Sequence, residues 1–412
     1  LRRVVVTGLG VVSPIGLGRE TYWRALEEGR SGVGTISLFD ATDYAVKIAA
    51  EVKDFNPEDW MDKKEARRAD RVIHFVTAAA AMAVKDAQLN VHQIDPYRFG
   101  VYIGSGEGGI QTTNDNYGIL RDKGPSRVSP FFVPMMLSSM PAAYVAITYG
   151  AKGPNMAVVT ACASATHSMG EAYETILRGD ADVMITGGAE AAITPIAMAG
   201  FAALKALSTR NDEPERASRP FDMGRDGFVM GEGAGVLIFE ELEHALNRGA
   251  NILAEVVGYG NTCDAYHITA PDPEGDGPKR AMEMAIRKGN LRPQDVDLIN
   301  AHGTSTPLND KMESAAIRAV FGDHADNLLV NSTKSMIGHC LGAAGALEAI
   351  AALQSIVEGV VHPTLNYEEP DPECNVNVVG PKAVKRDVRC VLVNNFGFGG
   401  HNAVLAFKKY EG

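Results

Sequence analysis

Short β-branched runs alternate with stretches of helical apolar spacing along the whole 412-residue chain. The runs Val4–Thr7, Gly100–Gly104, Met156–Thr160, Val183–Thr186 and Gly235–Glu240 predict strands in the first part. Leu253–Gly258, Asp297–Asn300, Leu328–Asn331, Arg389–Asn394 and Ala403–Phe407 repeat the style in the second. Apolar residues three and four apart predict helices over 71–87, 165–177, 277–288 and 343–358. Strands alternating with helices predict a layered α/β protein. Glycines gather at the predicted strand ends: GLG at 8–10, GSGEGG at 104–109, GG at 187–188 and GFGG at 397–400. No fixed-period repeat is present, but two corners look alike. One β-run leads through TACASATH into a small-residue helix at Cys162, and another leads through STKSMIGH into a small-residue helix after His339. This likeness hints at two equivalent halves, about 1–250 and 251–412, facing a shared centre.

Composition narrows the class. With 45% hydrophobic and 22% charged residues the chain is globular rather than disordered or fibrous. Its length suits two or three average domains, or one large fold built from two similar halves. The 51 acidic residues outnumber the 39 basic ones, for a formal charge of −12. Such a surface argues against nucleic acid or an anionic membrane as a general partner. No uninterrupted apolar run reaches the roughly 18–20 residues of a membrane span, and LRRVVVTGLG moves straight into a β-like run. A cytoplasmic location is therefore expected. Cys162, Cys263, Cys340, Cys374 and Cys390 are odd in number and far apart, without CxxC spacing. Neither a disulfide framework nor a zinc site is indicated.

Four places carry candidate chemistry. GLG at 8–10 invites a dinucleotide-fingerprint reading, but the third glycine falls at Ser13 with Pro14 beside it, so a tight turn is the better account. Cys162 stands between a β-run and a helix of small residues. A thiol at a helix N-terminus is expected to have a lowered pKa, and small neighbours let a substrate approach; the bland alternative is a buried structural cysteine. His302 follows the run ending at Ile299 and is trailed by glycine and hydroxyl residues. His339 closes a segment of the same character. Their separation is not that of a local metal motif, and no acidic ligand recurs beside them. Two strand-end histidines together with a helix-N-terminal cysteine form a constellation rather than three accidents.

TACASA around Cys162, NAHGTSTP around His302, STKSMIGH up to His339 and NNFGFGGHN at 394–402 resemble the four signature segments of the β-ketoacyl-acyl-carrier-protein synthases, elongating type II. The similarity runs from Val4 to Phe407. It implies a thiolase-like fold, two similar α/β halves in five αβαβα layers, as a homodimer. It implies decarboxylating condensation of acyl-ACP with malonyl-ACP through an acyl-Cys162 thioester, in fatty acid elongation. Cys162 would be the nucleophile, and the backbone N–H groups of Cys162 and Phe398 an oxyanion hole. His302 and His339 would stabilise the enolate left by CO2. By the same carry-over Lys334 would tune the field and orient His339, and Asp310 would play an orienting part. Glu348 would be the counter-charge of Lys334, or help Asn300 and Asn394 hold a structural monovalent cation. Thr304 and Thr306 would bind the phosphopantetheine arm, Phe398 would gate the cysteine, and Phe201 would line the substrate site. No metal or resident cofactor is required; phosphopantetheine arrives on the acyl carrier protein. Lys64, Arg67, Arg68 and Lys205 match carrier-docking positions on an otherwise acidic protein.

Three positions depart from the family pattern. Glu107 stands in GSGEGG where many relatives carry an apolar residue lining the acyl pocket. A charged, unpaired carboxylate in an apolar tunnel would cost several kcal/mol, so it turns away, pairs, or alters chain-length preference. His401 replaces a threonine and Asn309 a glycine found in some relatives. A stand-alone polyketide ketosynthase shares all four segments and is the alternative. A non-catalytic chain-length factor would lack Cys162, and a thiolase would carry a second cysteine as base.

Overall fold

The computed structural model describes residues 2–412. Each of the ten β-branched runs overlaps a strand. In the first half these are β1 (Val4–Ser13), β2 (Phe99–Gly104), β3 (Asn155–Val158), β4 (Val183–Glu190) and β5 (Gly233–Glu241). In the second they are β6 (Ala254–Cys263), β7 (Leu298–Asn300), β8 (Leu329–Asn331), β9 (Cys390–Gly397) and β10 (His401–Lys408). The four predicted helices are present as α1 (Arg71–Asp86), α2 (Ser164–Arg178), α3 (Asp276–Lys288) and α5 (Ala344–Glu358). A further long helix, α4 (Pro307–Phe321), was not legible as an apolar stripe. The face that α4 buries includes Asn309, Asp310, Glu313 and Ser314, so its period is masked by polar residues.

The duplication is written in the topology. Strand order in the first half is β3-β2-β4-β5-β1 and in the second β8-β7-β9-β10-β6. Each half thus runs third, second, fourth, fifth, first. Directions agree as well: β2 is parallel to β3 and β4, as β7 is to β8 and β9. β5 and β10 run antiparallel to both neighbours. The two sheets join where Val4–Val6 of β1 pair antiparallel with Ala254–Val256 of β6.

Helices complete the layers. α1 covers the outer face of β1, β5 and β4; α2 and α5 touch each other between the halves; α3 lies on β6 and β10 with α4 beside it. The order is helix, sheet, helix, sheet, helix, the thiolase-like arrangement. α1 starts where the buried Asp70 carboxylate accepts from Val72 N–H at 3.1 Å, an N-cap that satisfies one orphan donor. The 18-residue stretch Leu341–Glu358 is apolar and long enough on composition to cross a membrane, yet 89% of it is buried inside the fold. It is the central helix of the core. Each of Leu347, Ile350 and Leu353 is fully buried there, worth about 1.5–3 kcal/mol apiece relative to exposure.

The GLG at 8–10 is neither a nucleotide loop nor the turn expected above, because it lies within β1. A Cβ on Gly8 would stand 2.3 Å from the Ala83 carbonyl oxygen, and one on Gly10 1.8 Å from that of Ala79. Those glycines let α1 lie directly on the strand. The second half repeats the device: a Cβ on Gly258 of β6 would stand 2.1 Å from the Ala285 carbonyl oxygen of α3, and one on Gly260 1.9 Å from that of Ala281.

Candidate active site

Cys162 sits on the corner between β3 and α2, and His339 on the corner between β8 and α5; both corners follow the third strand of their half. The two look-alike segments are topological equivalents. Ala161 has φ +51°, a left-handed conformation that lifts the next residue out of the turn. Cys162 is nonetheless 8% exposed, at the floor of a cavity of about 420 Å³. Burial pushes its thiol up to about 12, against the opposing pull of Lys334. The expectation of a lowered thiol pKa is therefore corrected: loss of hydration outweighs the helix dipole. The backbone N–H groups of Phe398 and of Cys162 itself favour charge on the sulfur. Donors from two separate loops thus converge on the space beside Sγ.

His302, Thr304, Thr306, His339, Phe201 and Phe398 line the same cavity as Cys162, and Lys205 stands exposed at its rim. The two histidine rings lie 5.4 Å apart, nearly perpendicular at 85°. Phe228 packs on His339 at 5.1 Å and Phe396 on His302 at 5.6 Å. The Thr304 and Thr306 hydroxyls bond each other at 2.8 Å. Phe201 stacks obliquely near Phe398, with centroids 6.5 Å apart.

Hydrogen bonding fixes both tautomers. Leu341 N–H donates to Nδ1 of His339 at 3.2 Å. The Lys334 ammonium donates to Nδ1 of His302 at 3.4 Å. A ring nitrogen that accepts leaves the proton on the other one, so each histidine keeps Nε2–H. Burial and the Lys334 charge hold both imidazoles well below their ordinary pKa, hence neutral. The site offers two uncharged N–H donors. Lys334 was expected to orient His339; it touches His302 instead, while backbone orients His339.

Lys334 and Glu348 form a buried ion pair, and Asn395 donates to the other Glu348 oxygen at 2.7 Å. Burial raises the Glu348 pKa, with Lys334 pulling it back. Both carboxylate oxygens are engaged, which makes Glu348 the counter-charge. Asn300 Oδ1 and Asn394 Oδ1, near the ends of neighbouring β7 and β9, are buried without partners. Asn300 pairs with Val393 across the sheet, so the Asn300 side chain and that of the following Asn394 leave opposite faces and do not converge on one cation, contrary to the expectation above. Among the described residues no cluster of three or more His, Cys, Asp or Glu could hold a metal ion.

Asp310 Oδ2 accepts from Phe221 N–H at 2.9 Å and lies 3.7 Å from Arg225, tying the 221–225 segment to α4. Glu313, which sequence reasoning missed, accepts from His302 N–H and Gly303 N–H at 2.8 Å each. It is fully buried, and burial pushes it up to about 7. Its signal was present as the i,i+3 partner of Asp310. Glu190, also missed, closes the apolar run of β4. Glu107 is half-buried and belongs to no ion pair among the described residues; burial raises its carboxyl pKa. It lies outside the cavity lining. Among the described residues Lys64, Arg67 and Arg68 make no ion pair and share an exposed hollow, with Arg68 over the Phe131 ring at 4.4 Å. The structure thus gathers the cysteine, histidines, lysine, threonines and phenylalanines, and leaves Glu107 and the basic cluster apart.

The family model for Beta-ketoacyl synthase, N-terminal domain, matches residues 1–245, and that for the C-terminal domain matches 253–368. The 3-oxoacyl-[acyl-carrier-protein] synthase 2 of Synechocystis is 53% identical over 410 residues, 100% of this chain and 99% of its own. The Staphylococcus aureus protein of the same name is 54% identical over the same span and shares. Among solved structures, the ishigamide ketosynthase/chain length factor superposes with TM-score 0.94 at 38% identity, covering 100% of both chains. A type II polyketide ketosynthase, solved with its acyl-carrier protein, reaches 0.92 at 35% over the same full coverage. With the two domain models spanning most of its length, the chain belongs to the β-ketoacyl synthase family.

Proposed function

We propose that the protein condenses acyl-ACP with malonyl-ACP to give 3-oxoacyl-ACP and CO2, the elongation step of fatty acid synthesis. The observation that carries this reading is one buried thiol sharing a cavity with two neutral Nε2–H histidines. Cys162 sulfur attacks the acyl thioester carbonyl. The S–C bond to Cys162 forms, the bond to the carrier's phosphopantetheine sulfur breaks, and the departing thiolate takes up the thiol proton. Phe398 and Cys162 N–H groups receive the oxyanion. A malonyl thioester then occupies the cavity with its thioester oxygen against the two histidine donors. Loss of CO2 leaves the electron pair as an enolate, which both donors stabilise without proton transfer. The enolate carbon attacks the acyl-Cys162 carbonyl, and the S–C bond to Cys162 breaks, leaving a thiolate that takes up a proton from solvent to restore the thiol. Thr304 and Thr306 hydrogen-bond the arm, Phe398 gates the thiol, and Phe201 bounds the acyl path. Lys334, Glu348 and Asp310 hold the donors.

The polyketide alternative finds support in the solved ketosynthases at 35–38% identity. The 53–54% full-length identity to 3-oxoacyl-ACP synthases favours fatty acid elongation. Purified protein given acyl-ACP and malonyl-ACP should release CO2 and yield a product two carbons longer. Absence of a two-carbon-longer product with every acyl length tried would sink this reading.

A homodimer is part of the proposal, as are halves divided near residue 250 and a cytoplasmic site of action. Support for the dimer comes from β3, whose outer edge is open. Met156 on that edge, Val159 just past it and Ile147 on the Met140–Tyr149 helix that packs on β3 are exposed apolar side chains. An exposed apolar edge strand is a template for pairing with a second copy. Sedimentation should give twice the 43.9 kDa chain mass, whereas a monomer at micromolar concentration would refute the dimer.

A further inference from the structure

Glu190, at the end of β4, is fully buried and carries the most completely engaged carboxylate next to the site. Oε2 accepts from Gly106 N–H at 2.7 Å and from Gly342 N–H at 2.8 Å. Oε1 accepts from the Ser105 hydroxyl at 3.0 Å and from Glu107 N–H at 3.1 Å. These four donors come from two loops on different halves of the fold.

Each loop bears on a reacting group. Gly342 follows Leu341, whose N–H fixes the His339 tautomer and whose φ of +45° is left-handed. Consecutive N–H groups at 341 and 342 therefore serve two acceptors: the His339 ring and the Glu190 carboxylate. The Ser105–Glu107 loop packs behind the cysteine corner, where a Cβ on Gly106 would stand 3.8 Å from the Ala161 carbonyl oxygen. It also abuts Gly342, whose own Cβ would meet Gly106 nitrogen at 2.2 Å. Neither loop has room for a side chain to take over the carboxylate's task.

We propose that Glu190 is a positioning residue that couples the nucleophile corner to the His339 donor, holding both against one carboxylate. It touches no substrate and acts through backbone. In its absence the Ser105–Glu107 loop, which packs against the Ala161 corner, and the corner with the left-handed Leu341 would lose the acceptor that draws them together. The inference rests on the proposed condensation for its activity readout only.

Ionisation supplies the handle for a test. Burial pushes Glu190 up to about 7. Glu107 on the loop, Cys162 at the corner and Cys340 before Leu341 face it; Lys334, Glu348 and Glu232 surround Cys340. The carboxylate form accepts at both oxygens, and adding a proton turns one acceptor into a donor aimed at a donor. The coupling is thus present above the folded pKa and lost as pH falls through it. Glu313 titrates in the same range beneath His302, so activity alone cannot separate the two. Ser105→Ala does separate them, because of the two carboxylates only Glu190 loses a donor and should rise in pKa; the Gly108 N–H that Ser105 Oγ accepts at 3.1 Å is freed at the same time.

The experiment reads malonyl decarboxylation, which needs no thiolate, against pH in wild type, Ser105→Ala and Glu190→Gln. It also follows the 15N signals of the His339 and His302 rings. The acid limb should move to higher pH in Ser105→Ala, with the His339 signals shifting along it and those of His302 unmoved. Glu190→Gln, which places an NH2 against N–H donors, should slow decarboxylation at least ~10-fold at neutral pH. An unmoved acid limb in Ser105→Ala, or His339 signals that do not follow it, would overturn the proposal. So would wild-type rates in Glu190→Gln. Should that variant fail to fold, Ser105→Ala decides. Should wild type fail to turn over, the condensation reading falls while the ring signals still judge Glu190.

Discussion

Cys162 shows how a residue's neighbours reverse what its position promises. A helix N-terminus favours thiolate, but an 8% exposed sulfur loses most of its hydration, and its pKa rises to about 12. The reactive fraction then grows tenfold per pH unit over the whole neutral range. Iodoacetamide alkylation of Cys162 should follow that slope through mildly alkaline pH. A plateau near pH 7 would show instead that the thiol is already ionised there. The histidines were legible as candidates because both stand at strand ends among glycines and hydroxyls. Their tautomers were not legible, since these depend on Leu341 N–H and the Lys334 ammonium, 2 and 32 positions away. Glu190 and Glu313 were missed for a related reason. Each accepts from backbone donors outside its own element, in the preceding loop for Glu313 and in two distant loops for Glu190, and a carboxylate that accepts backbone N–H groups has no sequence motif.

Among the elements, strands and apolar helices were read correctly because burial enforces their periods. β1 illustrates the limit. The run Val4–Thr7 was visible, but the strand continues to Ser13 through two glycines that mimic a turn. Their role emerges only when α1 lies across them. Between Val6 and Gly8 the pairing with β5 shifts register, and Thr7 at that shift donates to the buried Glu240. Arg248 and His244 complete the cluster, with Arg248 Nε at 2.8 Å and His244 Nδ1 at 2.7 Å. These partners hold Glu240 down at about 2 against an ordinary value of 4.5. A depressed carboxylate stabilises the fold above its ordinary pKa, and that stability disappears as pH falls through the folded value. The gap corresponds to about 3 kcal/mol. Glu240→Gln should lower unfolding free energy in urea by about 2–3 kcal/mol at neutral pH, and by little near pH 2. An equal loss at both pH values would mean that packing, not charge, holds the strands there.

For the molecule as a whole, a formal charge of −12 must coexist with an acidic partner if the substrate arrives on a carrier protein. Lys64 and Arg67 are exposed and make no ion pair among the described residues, so their field is directed to solvent. Reversing both charges should raise the apparent KM for carrier-bound substrates by roughly tenfold at low salt and leave kcat in place. Raising salt should close the gap, because exposed charges are screened within about 10 Å. A KM unchanged at low salt would remove the docking role. The sequence by itself determined the family resemblance, the alternation of elements and which side chains are the candidates for reaction. Those depend on local burial period and on short segments whose chemistry is carried by adjacent residues. Tertiary structure alone decided the common strand order of the halves, the ionisation of Cys162, the partner of Lys334 and the tasks of Glu190 and Glu313. All of these depend on hydration lost and donors gained when separate segments, some near and some far along the chain, close on one cavity. No local pattern along the chain records that closure.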